Sequence, residues 1–283
     1  MDHDETYLLL LLSDSNLPTG SFVASSGFES YIKHGFGAGD SHKTTVFMRD
    51  SIGAYARNAL PFVSDAHRIV ECFRHREKEI DVRDCLQKLT DLDELYDAIT
   101  LNHVTKRASK SQGVALLTLY SKGFSYPPAS SPPGLYLDEE TQKKIAVDTK
   151  TAMLVTKYKS LVRAETASGN LPICWGILTC ALGLSLERSQ YLHIFLHARS
   201  LLSASVRLNE IGPYNSQQVL LHLSRPIIEA EVSRCKDLRT GIGFDTETLE
   251  NFDETLHGPA NTWPLGEILA ARHDQQHSRI FNS

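Results

Sequence analysis

The sequence predicts an all-α protein: a single helical-bundle-like domain followed by an irregular C-terminal tail. Apolar residues recur at intervals of three and four along most of the chain, which is the spacing of one helical face. No run of strictly alternating apolar and polar residues, typical of half-buried strands, is present, and Gly, Thr, Asn and Pro dominate from Asp237 onward. The 283 residues can bury a large core, and they contain no internal repeat and no obvious linker apart from a proline-rich stretch, so residues 1–283 are predicted to form one domain.

The predicted helices of the N-terminal part are bounded by glycine, proline and capping residues. An apolar run at Tyr7–Leu12 precedes them as a core segment. Four helical stretches follow. The first is Phe22–His34, and the second begins after the capping residues Asp40 and Ser41 and is broken at Leu60-Pro61. The third is Phe62–His75, and the fourth begins at Asp91 and runs to His103. Glycine stops a helix readily, and proline breaks one because it lacks an amide hydrogen and clashes with the preceding turn. Val114–Tyr120 is apolar and is expected to be the end of a further helix.

A proline-rich segment separates the two halves of the chain. Residues 123–134, GFSYPPASSPPG, contain four prolines together with glycine and serine, so we expect a solvent-exposed loop. The stretch DEETQKK that follows opens a helix, with acidic residues first and basic residues later, as the helix dipole favours.

The C-terminal half is predicted to remain helical as far as Lys236. The stretch LPICWGILTCALGLS is almost wholly apolar and should be buried on all sides. Leu186–Ile211 is a long periodic helix that Gly212-Pro213 ends, and Tyr214–Lys236 is a helix that Pro226 should kink. Residues 237–283 are rich in Gly, Thr, Asn and Pro, which predicts an irregular tail.

Composition and charge argue against several classes of function. The formal net charge of −5 lacks the basic footprint that non-specific nucleic-acid binding needs. The Tyr7–Leu12 run follows acidic residues and is too short for a secretory signal or a membrane span, so a cytoplasmic protein without membrane contact is expected. The five cysteines are odd in number and none has CxxC spacing, which argues against a disulfide framework or a structural zinc site.

No catalytic motif is recognisable in the sequence. GxxxxGK[ST] does not occur, so nucleotide binding through a P-loop is not expected, and GxGxxG after a strand and GxSxG are missing as well. These observations favour a protein–protein interaction role over catalysis, and no tightly bound cofactor is expected.

Histidine spacing leaves a metal site as an alternative. His193 and His197 are four residues apart on a predicted helix and share one face, but a metal needs further ligands, so two polar positions on a packed helix are the favoured interpretation. His273 and His277 repeat the spacing in the tail, where a weak metal site, a docking peptide and a frayed end remain open alternatives.

Charged residues in apolar or strongly basic surroundings are the other candidates. Glu29 lies on a small, apolar helix, and Arg207 has Ala204, Val206 and Leu208 around it, so each should be paired or lie at an interface. Arg107 belongs to the basic stretch TKRASKSQG, which is either a solvated helix face or a contact for an acidic partner.

Several of these stretches together resemble the urease accessory protein UreF family. The opening LLLLSDSNLPTGSFVASSGFES is similar to the LP-x-G-x-F segment and GLE ending of that family, with Phe28 in place of leucine. RASKSQG resembles R-x-S-x-x-Q-G, and NLPICWGI resembles H-x-P-x-x-x-G with Asn170 in place of histidine. SASVRLNEIGPYNSQQVL matches S-A-x-x-R-L-x-x-x-G-P-x-x-x-Q. The ending HDQQHSRIFNS matches H-[DE]-x-x-Y-S-R-[LI]-F-x-S, with His277 in place of tyrosine. The motifs run in family order from Tyr7 to Ser283, whereas residues 123–162 look like an insertion.

The resemblance implies an all-α fold and a non-catalytic role in urease maturation. It implies a homodimer that binds UreD (also called UreH) and the GTPase UreG, and that helps to load nickel into apo-urease while GTP stays on UreG. It also implies that Glu29 lies near a surface facing UreG and affects GTPase coupling, and that the tail orders against the body and UreD. The residues expected to bind partners are Glu29, Arg107, Arg207, His273, Arg279, Ile280 and Phe281.

Two rival functions rest on histidines instead. One is a metal-dependent helical enzyme, and the other is a nickel chaperone that holds the ion itself. The ligands that these rivals would use are His193, His197, His273 and His277.

Overall fold

The fold is all-α in the part of the chain that the computed structural model describes, residues 3–39, 42–75, 81–125, 138–243 and 251–283, where no strand is present. The sequence-predicted fold class is therefore confirmed. The helices are α1 (His3–Leu12), α2 (Phe28–Lys33), α3 (Lys43–His75), α4 (Val82–Ile99), α5 (His103–Leu119), α6 (Glu139–Arg163), α7 (Leu171–Leu182), α8 (Leu186–Arg207), α9 (Pro213–Gln218), α10 (Arg225–Cys235), α11 (Glu254–His257) and α12 (Pro264–Ala271). Among the described residues, no helix is long and apolar enough to cross a membrane.

Helix α3 is the centre of the molecule and packs against α4, α7, α8 and α10. Helix α7 is buried at every position from Pro172 to Ala181, as its apolar sequence predicts. Gly176 allows the close contact between α3 and α7, because a Cβ atom at this position would lie 2.6 Å from the carbonyl oxygen of Val63. The two helices therefore meet backbone to backbone.

The predicted break at Leu60-Pro61 is wrong, since α3 continues through it as one helix of 33 residues. A proline inside a helix costs about 3 kcal/mol. Leu60, Phe62 and Val63 are fully buried around it, and burying each of these side chains contributes about 1.5–3 kcal/mol. Packing on both sides of α3 thus outweighs the lost hydrogen bond.

Two other helix boundaries differ from the prediction. Helix α4 begins at Val82, nine residues before Asp91, because Asp81 caps it by accepting the amide hydrogen of Arg83 at 2.9 Å. It ends at Ile99, and Asn102 caps the separate helix α5.

The predicted helix Phe22–His34 is also mostly wrong. Only Phe28–Lys33 is α-helical, after a 3₁₀ turn at Ser21–Val23. Ser26 and Gly27 have φ angles of 50° and 84°, which a right-handed helix cannot include.

The middle of the chain contributes to the core. Most of the predicted proline-rich loop, residues 126–134, lies outside the described residues, as do the predicted capping residues Asp40 and Ser41. Helix α6 follows as predicted, capped by Asp138, and its residues Leu154, Val155 and Tyr158 are fully buried. The segment that resembles an insertion therefore supplies core side chains.

The C-terminal part is more regular than predicted. A π-helical turn at Val219–Ser224 joins α9 to α10 immediately before Pro226, where a kink is predicted. The tail contains α12 and a 3₁₀ turn at Arg272–Gln275, so the prediction of irregular structure is wrong there. Leu269 of α12 is almost fully buried, and the tail is part of the packed body.

Candidate functional site: the docked tail segment

The residues that follow α12 lie along the N-terminal part of the chain, and we call residues 272–283 the tail segment. Helix α12 sits directly on α2, since a Cβ atom on Gly27 would be 3.3 Å from that of Ala270. The tail segment then pairs with the backbone of the 3₁₀ turn region. The amide of Asn282 donates to the carbonyl of Val23 at 2.9 Å, and the amide of Ser25 donates to the carbonyl of Ser283 at 2.5 Å.

The carboxylate of Glu29 on α2 anchors the backbone of the tail segment. It is fully buried and accepts the amide hydrogens of Ile280 at 2.7 Å and Phe281 at 3.1 Å. Lys33, one turn along α2, pairs with it at 3.0 Å. Burial alone would raise the pKa of Glu29, but these two amides and Lys33 outweigh burial and lower it. The predicted pairing of Glu29 is thus with the tail backbone and Lys33.

Asp274 is the charged hub of the tail segment. Arg107 of α5 donates to both of its oxygens, at 2.8 and 2.9 Å, and also to the carbonyl of Asn282 at 2.9 Å. Arg279 donates to Asp274 at 2.6 Å, and His103 approaches it at 3.3 Å. The hydrogen bonds from Arg107 are the main reason that the pKa of Asp274 is far below its usual range. A bidentate arginine–carboxylate pair fixes both distance and orientation.

Phe281 fills the hydrophobic part of the site. It is 2% exposed, and the guanidinium of Arg207 lies 4.5 Å from the centre of its ring. Arg207 also donates to the carbonyl of Phe22, which joins α8, the 3₁₀ turn and the tail segment. The side chain of Arg207 is exposed, and its contacts in the described residues are with the ring of Phe281 and with backbone carbonyls, not with an acidic side chain.

His273 is buried, and its Nε2 lies 3.1 Å from the carbonyl oxygen of Phe281. Its Nδ1 lies 3.9 Å from the carboxylate of Glu29. His277 is exposed. Because α12 ends at Ala271 and Gln276 is extended, His273 and His277 do not share a helical face.

The structure thus brings all the sequence-predicted partner-binding residues to one place, although they come from three helices and the tail. Of these, Ile280 is 62% exposed and points away from the body, whereas Phe281 points inward. Sequence reasoning missed Asp274, Lys33 and the backbone of Val23 and Ser25. Asp274 is the only acidic residue of the quoted ending HDQQHSRIFNS, and this acidic position within a motif of histidines and an arginine was the available signal.

The second histidine pair has a different environment. His193 and His197 share one face of α8, as predicted, and the ring of Tyr55 stacks on both. The hydroxyl of Tyr55 lies 2.9 Å from His193, and that of Ser51 lies 3.0 Å from His197. Burial lowers the pKa values to about 3 for His193 and about 4 for His197, so both are neutral at physiological pH.

These two histidines line a cavity of about 250 Å³ that Ser283 of the tail segment also borders. Across the described part of the chain, no group of three or more His, Cys, Asp or Glu side chains is arranged to hold a metal ion. The histidine pair is therefore short of the three or four protein ligands that metal sites usually contain.

Comparison with known proteins places the whole chain in one group of relatives. The UreF family model matches residues 39–224. Urease accessory protein 6 of Cryptococcus neoformans var. grubii is 43% identical, with 99% of this chain and 97% of that protein covered. An uncharacterized urease accessory protein UreF-like from Schizosaccharomyces pombe is 28% identical over 99% of this chain and 97% of its own length. Urease accessory protein UreF of Corynebacterium efficiens is 24% identical, with coverage of 98% and 96%.

Proposed function

The chain belongs to the UreF family of urease accessory proteins, and from this premise we propose that it is a non-catalytic adaptor in nickel insertion into apo-urease. The family supports a role in urease maturation. In the proposed complex, the chain binds UreD (also called UreH) and regulates the GTPase UreG. Nickel is the cargo of this complex, and GTP is bound by UreG, in keeping with the missing P-loop motif of this chain.

The docked tail segment is the observation that supports the adaptor role most directly. An aromatic side chain held in a pocket, with arginines around it, is a common pattern of protein interfaces. Here the buried groups, Glu29 and Phe281, are occupied by contacts within the chain, while Ile280 and Arg279 remain exposed on the outer side. We therefore assign the outer side chains to the contact with UreD.

The remaining predicted residues act by holding the tail segment. Arg107, Arg207 and His273 all contact its residues, so their effect on partner binding is indirect. The same holds for Glu29: its carboxylate is buried beneath the tail segment, and it would influence a surface facing UreG only through the tail. In this proposal Glu29 positions the tail segment and does not contact UreG directly.

A homodimer and a cytoplasmic location are retained in the proposal from the family resemblance. The sequence suggests the helices around Trp175 and Arg207 as the apolar dimer surface. Trp175 is 4% exposed and α7 is buried throughout, so that part of the suggestion is wrong. The surface around the exposed Arg207 on α8 stays a candidate for the dimer contact, and light scattering of the chain alone and with UreD tests for a dimer.

Copurification with UreD tests the assignment of the tail. Removing everything after Trp263 would also remove the buried Leu269, so removal of residues 276–283 is the cleaner change. We expect this truncated chain to lose UreD while keeping its helical content. Binding equal to that of the full chain would contradict the assignment.

A point variant separates contact from folding. Ile280→Ser should weaken UreD binding without lowering Tm, because the side chain is exposed. Leu256→Ser is the matched control, since Leu256 is 63% exposed and lies outside the tail segment. Reconstituted urease activation with cognate UreG and UreD, with and without this chain, tests the role as a whole.

The histidine-based rivals stay predictions. A nickel chaperone should bind nickel at micromolar or tighter affinity and lose it when His273 and His277 are replaced. A metal enzyme should carry tightly held metal that His193→Ala removes. The buried, hydrogen-bonded pairing of His193 with Tyr55 favours neither rival.

A further inference from the structure

A cluster of positive charges lies where α6 meets the end of α5, away from the tail residues. Lys159 and Arg163 are one turn apart on α6 and therefore share a face. Lys122 lies in the π-helical turn Tyr120–Phe124 that extends α5. Single π-helical turns occur often at functional sites.

Lys159 is unusual because it is 9% exposed and has no acidic partner among the residues that the structure describes. Its ammonium donates a hydrogen bond to the hydroxyl of Ser121 at 2.6 Å. The same hydroxyl donates to the carbonyl of Thr118 at 3.1 Å, so it presents a lone pair to the lysine. An ammonium has three donors, and buried lysines are rare unless they are paired.

The surroundings make this charge less favourable still. Burial lowers the pKa of Lys159, and Arg163 and Lys122 lower it further by repulsion. In the ranges that the structure describes, no acidic side chain forms an ion pair with any of the three. Residues 126–137, which follow this turn in the chain, contain no Asp or Glu that could supply a counter-charge.

Helix ends do not neutralise the cluster. The C-terminal end of a helix carries about half a negative charge, whereas the cluster carries three positive ones. The whole chain has a net charge of −5, so this surface departs from the general charge of the protein. A cation that is mostly removed from water and has no acidic partner among the described residues favours the binding of an anion.

We propose that Lys122, Lys159 and Arg163 form a binding site for a phosphate-type oxyanion, with Ser121 holding the ammonium of Lys159 in place. A phosphate group carries nearly two negative charges at neutral pH and has several acceptor oxygens, which matches three cations. A carboxylate carries one charge and has fewer acceptor oxygens, so it satisfies this cluster less well. The site goes beyond the adaptor role and uses none of the tail residues.

Titration with inorganic phosphate tests the site in the full chain, with chloride at equal ionic strength as the reference. We expect binding by calorimetry with a Kd on the order of millimolar and a rise in Tm. Lys122→Ala and Arg163→Ala, both at exposed positions, should each weaken binding several-fold. Lys157→Ala is the matched control, because Lys157 is exposed on another face of α6 and should leave Kd unchanged.

Lys159→Met gives a second, independent readout. Without anion, this variant should be at least as stable as the natural chain, because it removes an uncompensated buried charge. It should also lose the phosphate-dependent rise in Tm. An unchanged Kd in the double variant Lys122→Ala/Arg163→Ala, or the same loss in Lys157→Ala, would overturn the proposal and leave only a general salt effect. A marked loss of Tm in Lys159→Met without anion would also count against it.

Discussion

Replacing Glu29 by glutamine should release the tail segment without unfolding the body. The carboxylate of Glu29 accepts two amide hydrogens, from Ile280 and Phe281, in a fully buried position. Glutamine keeps the shape and one acceptor oxygen, but its NH₂ group would face the second amide. One buried amide then loses its partner, and the other hydrogen bond becomes neutral.

The size of the effect follows from these two changes. A hydrogen bond to a charged group contributes about 1.5–3 kcal/mol, and an unsatisfied buried donor costs about 1–3 kcal/mol. The docked state of the tail segment should therefore lose about 3 kcal/mol, which corresponds to a roughly 100-fold change in its docking equilibrium. Loss of the ion pair with Lys33 adds only about a few tenths of a kcal/mol to this cost.

Amide hydrogen exchange measures this equilibrium directly. Exchange at Ile280 and Phe281 should accelerate about 100-fold in Glu29→Gln, while amides of the central helix α3 should be unaffected. The control is Glu229→Gln, which removes an exposed carboxylate paired with Arg225 one turn away on α10. Unchanged exchange at Ile280 and Phe281 in Glu29→Gln, or an equal acceleration in the control, would refute the anchoring role of Glu29.

Other outcomes follow from the same contacts. Arg107→Ala should accelerate exchange in the tail by roughly tenfold or more, because a bidentate pair with Asp274 is lost, and Arg107→Lys should recover only part of it; full recovery would contradict a bidentate requirement. Phe281→Ala should weaken docking by about 3–5 kcal/mol, seen as susceptibility of the tail to proteolysis. Folding lowers the pKa of Asp274. Its stabilising contribution is therefore present above the pKa of the unfolded state, about 3.9, and is lost as pH falls through the pKa of the folded state. Amide exchange in the tail, measured between pH 5 and pH 3, should show the onset of this loss, and Asp274→Asn should abolish it. The pKa values of His193 and His197 are lowered to about 3 and 4, so on acidification the unfolded state binds protons before the folded state does. The free energy of unfolding should therefore fall as pH drops below about 6.5. NMR titration midpoints near 6.5 for these two rings in the folded chain would refute this prediction.

Local sequence signals predicted the helices whose ends carry capping or helix-breaking residue types. Asp138 caps α6 at the start of DEETQKK, and Gly212-Pro213 separates α8 from α9; both are visible as a residue type at a position. Where a boundary depends on packing, local signals failed. Pro61 reads as a helix breaker, and only the fully buried side chains around it show why the helix continues.

The candidate site shows the same division. The sequence identified Glu29, Arg107, Arg207 and the tail as separate candidates. A charge in apolar surroundings and a motif at the end of the chain are local patterns that can be recognised one at a time. The sequence did not show that these candidates touch one another. Their contacts join residues more than 70 positions apart, up to 252 between Glu29 and Phe281, and such pairings have no periodicity to reveal them.

By itself the sequence therefore determined the helical class, the apolar identity of α7 and the family, since periodicity, composition and ordered motifs are properties of the chain alone. Only the tertiary structure decided that Glu29 is a buried anchor and that Asp274 is a hub. The reason is physical: whether a carboxylate meets a partner surface or its own backbone depends on what packing excludes from water, and packing is set by distant parts of the chain together.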